Sequence, residues 1–113
     1  MRKIVFISGP ITASSAVKTA QNINRFEEAE HMLLKAGYAP INPASDWNAI
    51  KRGGLERRQL MEKDEALVAI SAALYQLEGW QESSGARQEA RWAEKYSKPC
   101  AWTLTRLHKV LED

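Results

Sequence analysis

Apolar residues recur along the chain at two spacings, one that suits strands and one that suits helices. Lys3 to Ser8 (KIVFIS) is almost continuously apolar and β-branched and is ended by Gly9-Pro10. This predicts a strand buried on both faces, as in a parallel sheet. From Ser14 to Ala36 the spacing changes: Ala16, Ala20, Ile23, Phe26, Ala29, Met32 and Leu33 recur at three- and four-residue steps, with Glu and Lys on the other side and Gly37 as a stop. The pattern is that of an amphipathic helix closed by a glycine. Tyr38 to Asn42 is a second, short strand, and Pro40, which cannot donate to a ladder, places it at an edge or a strand end.

Leu55 to Ile70 reads as a helix, Ala72 to Leu77 as a third strand and Lys98 to Thr103 as a fourth. Between the last two runs a helix that opens with Ser83, Ser84 and Gly85 and carries Glu89. Strand, helix and strand in that order predict a right-handed parallel crossover. Thr105 to Glu112 caps the chain as a last amphipathic helix, while Ala44 to Gly54 has few regular signals and reads as a mobile loop or a short helical turn. Trp47 within it has two readings, a ring stacked on a ligand or an anchor of the loop to the core. The pattern as a whole gives an α/β three-layer sandwich with a small, mostly parallel Rossmann- or flavodoxin-like sheet of about four to five strands.

Composition narrows this further. A chain of 113 residues with no repeat, low-complexity tract or linker is expected to form a single domain, 1–113. With 44% hydrophobic and 27% charged residues it has an ordinary globular composition, and no apolar run approaches the ~20 residues of a membrane span. The apolar start, Met1 to Ile11, breaks at Gly9-Pro10 without a signal-peptide cleavage site, so a cytoplasmic location and no membrane partner are expected. A net charge of +2 gives no case for nucleic acid. The basic residues Lys51, Arg52, Arg57 and Arg58 interleave with Glu56, Glu62 and Glu65, and are read as a solvated helix face in preference to a nucleic-acid patch. Cys100 stands alone, and His31 and His108 lie far apart, so neither a disulfide nor a metal site is expected.

Candidate chemistry gathers where strands end, because ligands of open α/β sheets lie at the carboxyl ends. Ser8, Gly9, Pro10, Ile11 and Thr12 follow the first strand, and Asn42-Pro43 follows the second. Neither GxGxxG nor GxxxxGK[ST] is present, which leaves no dinucleotide fingerprint and no P-loop. Free N–H groups at a helix opening with Ser83, Ser84 and Gly85 favour an anion. Glu89, about two turns into that helix, has Ala86 and Ala93 as its i−3 and i+4 neighbours, and so borders a small-residue face. It is either a solvated side chain or a group facing the ligand. Asp64 lies within an apolar stripe made by Leu60, Met61, Leu67 and Val68, and is either tied off by a local hydrogen bond or a site residue. Two carboxylates beside an anion cradle suit glycosyl chemistry, in which one attacks an anomeric carbon while the other handles the leaving group's proton.

In ISGPIT, NINRFEEAEHMLLKAGY, INPA, the Asp64 helix and LEGWQESSGARQEARWAEKYSKP, taken in order, the chain resembles the nucleoside 2-deoxyribosyltransferase superfamily, and in particular its small nucleotide N-glycosidase-like and phage-associated members. The resemblance covers nearly the whole chain. It implies that Glu89 is the nucleophile at C1′ of a nucleoside or nucleotide and that Asp64 orients the sugar or manages the proton at the leaving base. It also implies substrate contacts by Ser8 to Thr12, Asn42, Trp80, the Ser83 to Gly85 turn and Arg87. The transferase branch usually has Asp six residues before its nucleophile, where this chain has Ser83, as in the monophosphate hydrolases. Those hydrolases tend to carry Ser and Arg shortly after the first-strand Gly, where this chain has Pro10 and Thr12, so that part of the phosphate cradle is missing or replaced by Arg87. The resemblance therefore implies an N-glycosidase acting on a nucleoside 5′-monophosphate without cofactor or metal, in a homodimer or larger homo-oligomer. Its alternatives are a base-exchanging transferase and a non-catalytic nucleotide-binding domain.

Overall fold

A computed structural model describes residues 1–46, 54 and 56–112 of the chain; the Trp47, Lys51, Arg52 and Leu55 readings fall outside that set. The described elements run β1 (Ile4–Ser8), α1 (Ala16–Lys35), β2 (Ala39–Ile41), a 3₁₀ turn (Pro43–Asp46), α2 (Arg57–Ile70), β3 (Ala73–Gln76), a second 3₁₀ turn (Trp80–Glu82), α3 (Ser84–Lys95), β4 (Cys100–Ala101) and α4 (Leu104–Leu111). The four strands form one sheet in the order β2-β1-β3-β4, with every pairing parallel. Helices cover both of its faces, giving the three-layer Rossmann- or flavodoxin-like arrangement read from the sequence.

Strand periodicity decides which helices meet which residues. Val5 and Ile7 point to the side where Phe26, Ala29 and Leu33 of α1 and Leu107 of α4 complete one buried cluster. Phe6 points the other way and packs with Leu74, Val68 of α2 and Ala93 of α3. Successive side chains alternate across a strand, so Ser8, two residues after Phe6, shares the α2/α3 side. That parity brings a hydroxyl under the two helices that carry Asp64 and Glu89.

Local signals account for the element ends. Ser15 caps α1 by accepting from the Lys18 N–H, and Gly37 takes the φ of 99° that ends the helix. Pro40 sits in β2 at the sheet edge, where its missing donor costs no ladder bond. Glu56 and Gln59 form a reciprocal capping box at the start of α2. The fourth strand is shorter than Lys98 to Thr103, because Ser97 turns at φ 57° before it and Thr103 already caps α4. Among the described residues no helix is long and apolar enough to cross a membrane.

Candidate active site

Helices α2 and α3 both begin at the carboxyl end of the parallel sheet and pack on the same face of it. Between their first turns and the loops leaving β1 and β2 lies a cleft of about 350 Å³. The β1 exit contributes Gly9 to Thr12, the β2 exit Pro43 and Asp46, α2 contributes Arg57, Leu60, Met61 and Asp64, and the α3 side Glu82 to Ala86 with Glu89.

The β1 exit is held firmly. Leu77 N–H donates to the Ser8 carbonyl at 2.8 Å, Asn22 Nδ2 donates to the Ile11 carbonyl at 3.2 Å, and the Ala13 N–H donates to Thr19 Oγ1 at 2.9 Å. A Cβ on Gly9 would stand 2.9 Å from Leu77 Cβ, so glycine is required for the β1 and β3 exits to lie this close. On the α3 side Gly79, at φ 87°, starts the 3₁₀ turn, and Ser83 then caps the helix by accepting from the Ala86 N–H at 3.2 Å. The N–H groups of Ser84 and Gly85, first in the helix, have no intrahelical partner, and both residues line the cleft.

Glu89 is 8% exposed, so the reading of a solvated side chain does not hold. Its neighbours Ala86 and Ala93 are both buried against the sheet, and their small size lets the carboxyl come down to Ser8, whose Oγ donates to Glu89 Oε1 at 2.6 Å. Burial pushes the Glu89 carboxyl up from its ordinary 4.5 to about 8, against the pull of the Ser8 hydrogen bond, with Asp64 adding repulsion. Asp64 is half-buried, and its Oδ1 has no hydrogen-bond partner among the described residues. The tied-off alternative therefore does not describe that oxygen. Burial, with repulsion from Asp46, raises the Asp64 carboxyl to about 6, partly opposed by Lys63. Asp64 ionises first, while Glu89 is still neutral; the Asp64–Glu89 repulsion accordingly acts on Glu89, the second to lose its proton. Between about pH 6 and about 8 the pair holds one proton.

The cleft gathers Gly9 to Thr12, Asp64, Ser83 to Gly85 and Glu89, with Ser8 reaching it through Glu89. Three other candidates lie outside its lining. Asn42 accepts from the Ala44 N–H at 2.9 Å and donates to Glu30 at 3.2 Å, beside a smaller cavity behind Asp64. Arg87 is exposed and donates to the Gln81 carbonyl at 2.8 Å. Trp80 lines a separate surface groove with Trp102. Conversely, Leu60 and Met61, which read as core, line the cleft, as do Arg57, Asp46 and Glu82. Arg57 read as part of a solvated helix face; the signal that could have found it is its spacing, since seven residues before Asp64 is nearly two full turns, which puts both on one face of α2.

The family known by the description Domain of unknown function (DUF4406) matches residues 3–101. The chain belongs to the DUF4406 family. That family is a member of the nucleoside 2-deoxyribosyltransferase-like clan, in agreement with the resemblance carried by the sequence motifs. No curated protein sequence matches the chain. Solved structures similar to this DUF4406 domain include a CMP N-glycosidase and BlsM. The Clostridium botulinum CMP N-glycosidase BcmB shares 20% identity and a TM-score of 0.62 over 96% of this chain and 82% of its own. BlsM, known from a solution structure, shares 17% identity and a TM-score of 0.64 over 96% of this chain and 70% of its own. At these identities both likenesses speak to the fold.

Proposed function

We propose that the protein is an N-glycosidase that cleaves the bond between base and (deoxy)ribose of a nucleoside 5′-monophosphate. The observation that carries this reading is the pairing of buried Glu89 with Ser8, in the same cleft as an Asp64 oxygen that has no hydrogen-bond partner among the described residues. The similar fold of a CMP N-glycosidase adds support.

In this reading the proton that Glu89 holds in the free protein passes to Asp64 once substrate is bound. The ionised Glu89 then attacks C1′, and the electrons of the breaking C1′–N bond pass to the base, which takes that proton from Asp64. The product of this step is a glycosyl ester on Glu89. A water molecule then attacks C1′, Asp64 takes its proton, and the ester bond breaks to free Glu89 and the sugar 5-phosphate. Two displacements give net retention at C1′. The pair holds the one proton this cycle needs between about pH 6 and about 8. Ser8 favours the ionised form of Glu89, and substrate charge developing at C1′ draws the proton towards Asp64. Ser83, Ser84 and Gly85 receive the 5′-phosphate at the start of α3.

Base release from ribo- and deoxyribonucleoside 5′-monophosphates and the matching nucleosides, followed by chromatography, tests the reading. Wild-type protein is expected to release base from at least one monophosphate, and Glu89→Ala to lower that rate by about a thousandfold or more. Equal rates in the two proteins contradict it. Adding a different free base separates the hydrolase from the transferase, since a transferase yields the exchanged nucleotide faster than free sugar accumulates. Assembly as a homodimer or larger homo-oligomer belongs to the same reading, and light scattering measures it directly.

A further inference from the structure

We infer that Arg57, and not Arg87, is the cation that receives the substrate's 5′-phosphate; the assignment rests on the monophosphate reading above and gives it a specificity residue. Among the described residues Arg57 is the one cationic side chain lining the cleft. The other charged groups there are carboxylates. Asp46 is paired with Lys63 at 3.0 Å, Asp64 and Glu89 are the reacting pair, and Glu82 stands beside the cradle. A phosphate entering without a cation would meet the Glu82 carboxylate with only hydroxyls and two backbone N–H groups to offset it. Guanidinium is well matched to phosphate because it presents parallel N–H donors.

The two helices set the level at which Arg57 stands. Arg57 precedes Asp64 by seven residues on α2, and Ser83 precedes Glu89 by six on α3. Both helices start at the same end of the sheet, and a rise of about 1.5 Å per residue puts each first turn about 9–10.5 Å along the helix axis from the residue that bears its carboxylate. Arg57 therefore stands on the wall facing Ser83, Ser84 and Gly85, and all four line the same cleft. The neighbouring Arg58 is engaged with Glu56 at 3.4 Å and Glu62 at 3.8 Å, whereas Arg57 makes no ion pair among the described residues. Arg87 lies on α3 itself and is turned to the Gln81 carbonyl.

The test compares wild type, Arg57→Gln, Arg57→Lys and Arg87→Gln by calorimetric binding of nucleoside 5′-monophosphates, the matching nucleosides and inorganic phosphate, with base release measured in parallel. Arg57→Gln is expected to weaken monophosphate binding about tenfold more than nucleoside binding, the size of one charge-assisted hydrogen bond at an open site. Arg57→Lys should recover part of that loss, Arg87→Gln should leave the monophosphate-to-nucleoside ratio within about twofold of wild type, and circular dichroism should show all variants folded. Equal weakening of both ligand classes by Arg57→Gln, or a larger ratio change in Arg87→Gln, overturns the assignment. So does a wild-type protein that binds monophosphate no better than nucleoside. If wild type binds monophosphate in an Arg57-dependent way yet releases no base, the glycosidase reading fails and the Arg57 assignment stands.

Discussion

Ser8 at the end of β1 donates a 2.6 Å hydrogen bond to Glu89 on α3, joining two residues 81 positions apart in a place water does not readily reach. Among the described residues this bond is the interaction that favours the ionised Glu89 over the neutral form. Ser8→Ala should therefore raise the Glu89 pKa further and lower kcat for base release about tenfold, with KM little changed. Measuring kcat and KM at pH 7 checks this, and a wild-type kcat would show that the hydrogen bond has no catalytic role.

The pH response of activity should follow the pair as a unit. Base release is expected to rise through about pH 6 and fall through about pH 8, because only the one-proton state contains both an ionised and a protonated carboxyl. Asp64→Asn removes the proton donor and relieves the repulsion on Glu89. It should lower kcat by about a hundredfold or more and abolish the fall near pH 8, leaving a single rise set by ionisation of Glu89. A pH–rate profile for wild type and variant decides this, and an unchanged profile in Asp64→Asn would remove Asp64 from the reaction.

Stability should move with the same two protons. Both carboxyls have native pKa values above their ordinary 3.8 and 4.5, so the folded chain binds more protons than the unfolded one between those limits. The associated stability is present in full below about pH 4 and is lost as pH rises through about 6 for Asp64 and about 8 for Glu89. Glu89→Gln should therefore melt above wild type at pH 8 and gain less, or nothing, at pH 5. A variant that melts lower at pH 8 by as much as at pH 5 would contradict the raised Glu89 pKa.

Much of the fold is legible in the sequence, and the physical reasons are specific. The β1 run, the α1 spacing with Gly37 and the edge position of Pro40 are local signals, and each element obeys them. Glu89 was ambiguous because helix spacing places it beside Ala86 and Ala93 but says nothing of Ser8, whose approach depends on sheet parity and the α3 docking. Leu60 and Met61 share the apolar stripe with Leu67 and Val68, yet only the latter two reach the core cluster; the first turns of α2 overhang the cleft instead. Arg57 and Glu82 sit among other charges and carry no distinctive motif, so their placement waits on the packing of α2 against α3.

Gly9 ties stability to site shape. In Gly9→Ala the added Cβ meets Leu77 Cβ at 2.9 Å, a backbone-proximal atom that cannot swing away. The substitution should cost about 1–3 kcal/mol of unfolding free energy and shift the β1 exit that lines the cleft. Urea denaturation gives the first quantity, and a variant as stable as wild type would show that the exits can part without cost.

Ser83 is the position where phosphate and hydroxyl substrates should diverge. Aspartate caps a helix about as well as serine, so Ser83→Asp keeps the bond to the Ala86 N–H while adding negative charge to the cradle. Monophosphate use should fall about tenfold more than nucleoside use. Equal losses on both would remove the phosphate from the account and leave the glycosyl chemistry.

The proposed reaction passes through a covalent bond between Glu89 and C1′. Rapid acid quench of wild-type protein turning over a 2′-fluoro-arabino nucleotide, whose electron-poor sugar slows release of the ester, followed by peptide mass spectrometry, tests it most directly. A 2-deoxy-2-fluoropentosyl 5-phosphate mass is expected on the peptide containing Glu89, and none in Glu89→Ala. Base release at the normal rate with Glu89 unlabelled, or with the label on another residue, would contradict it.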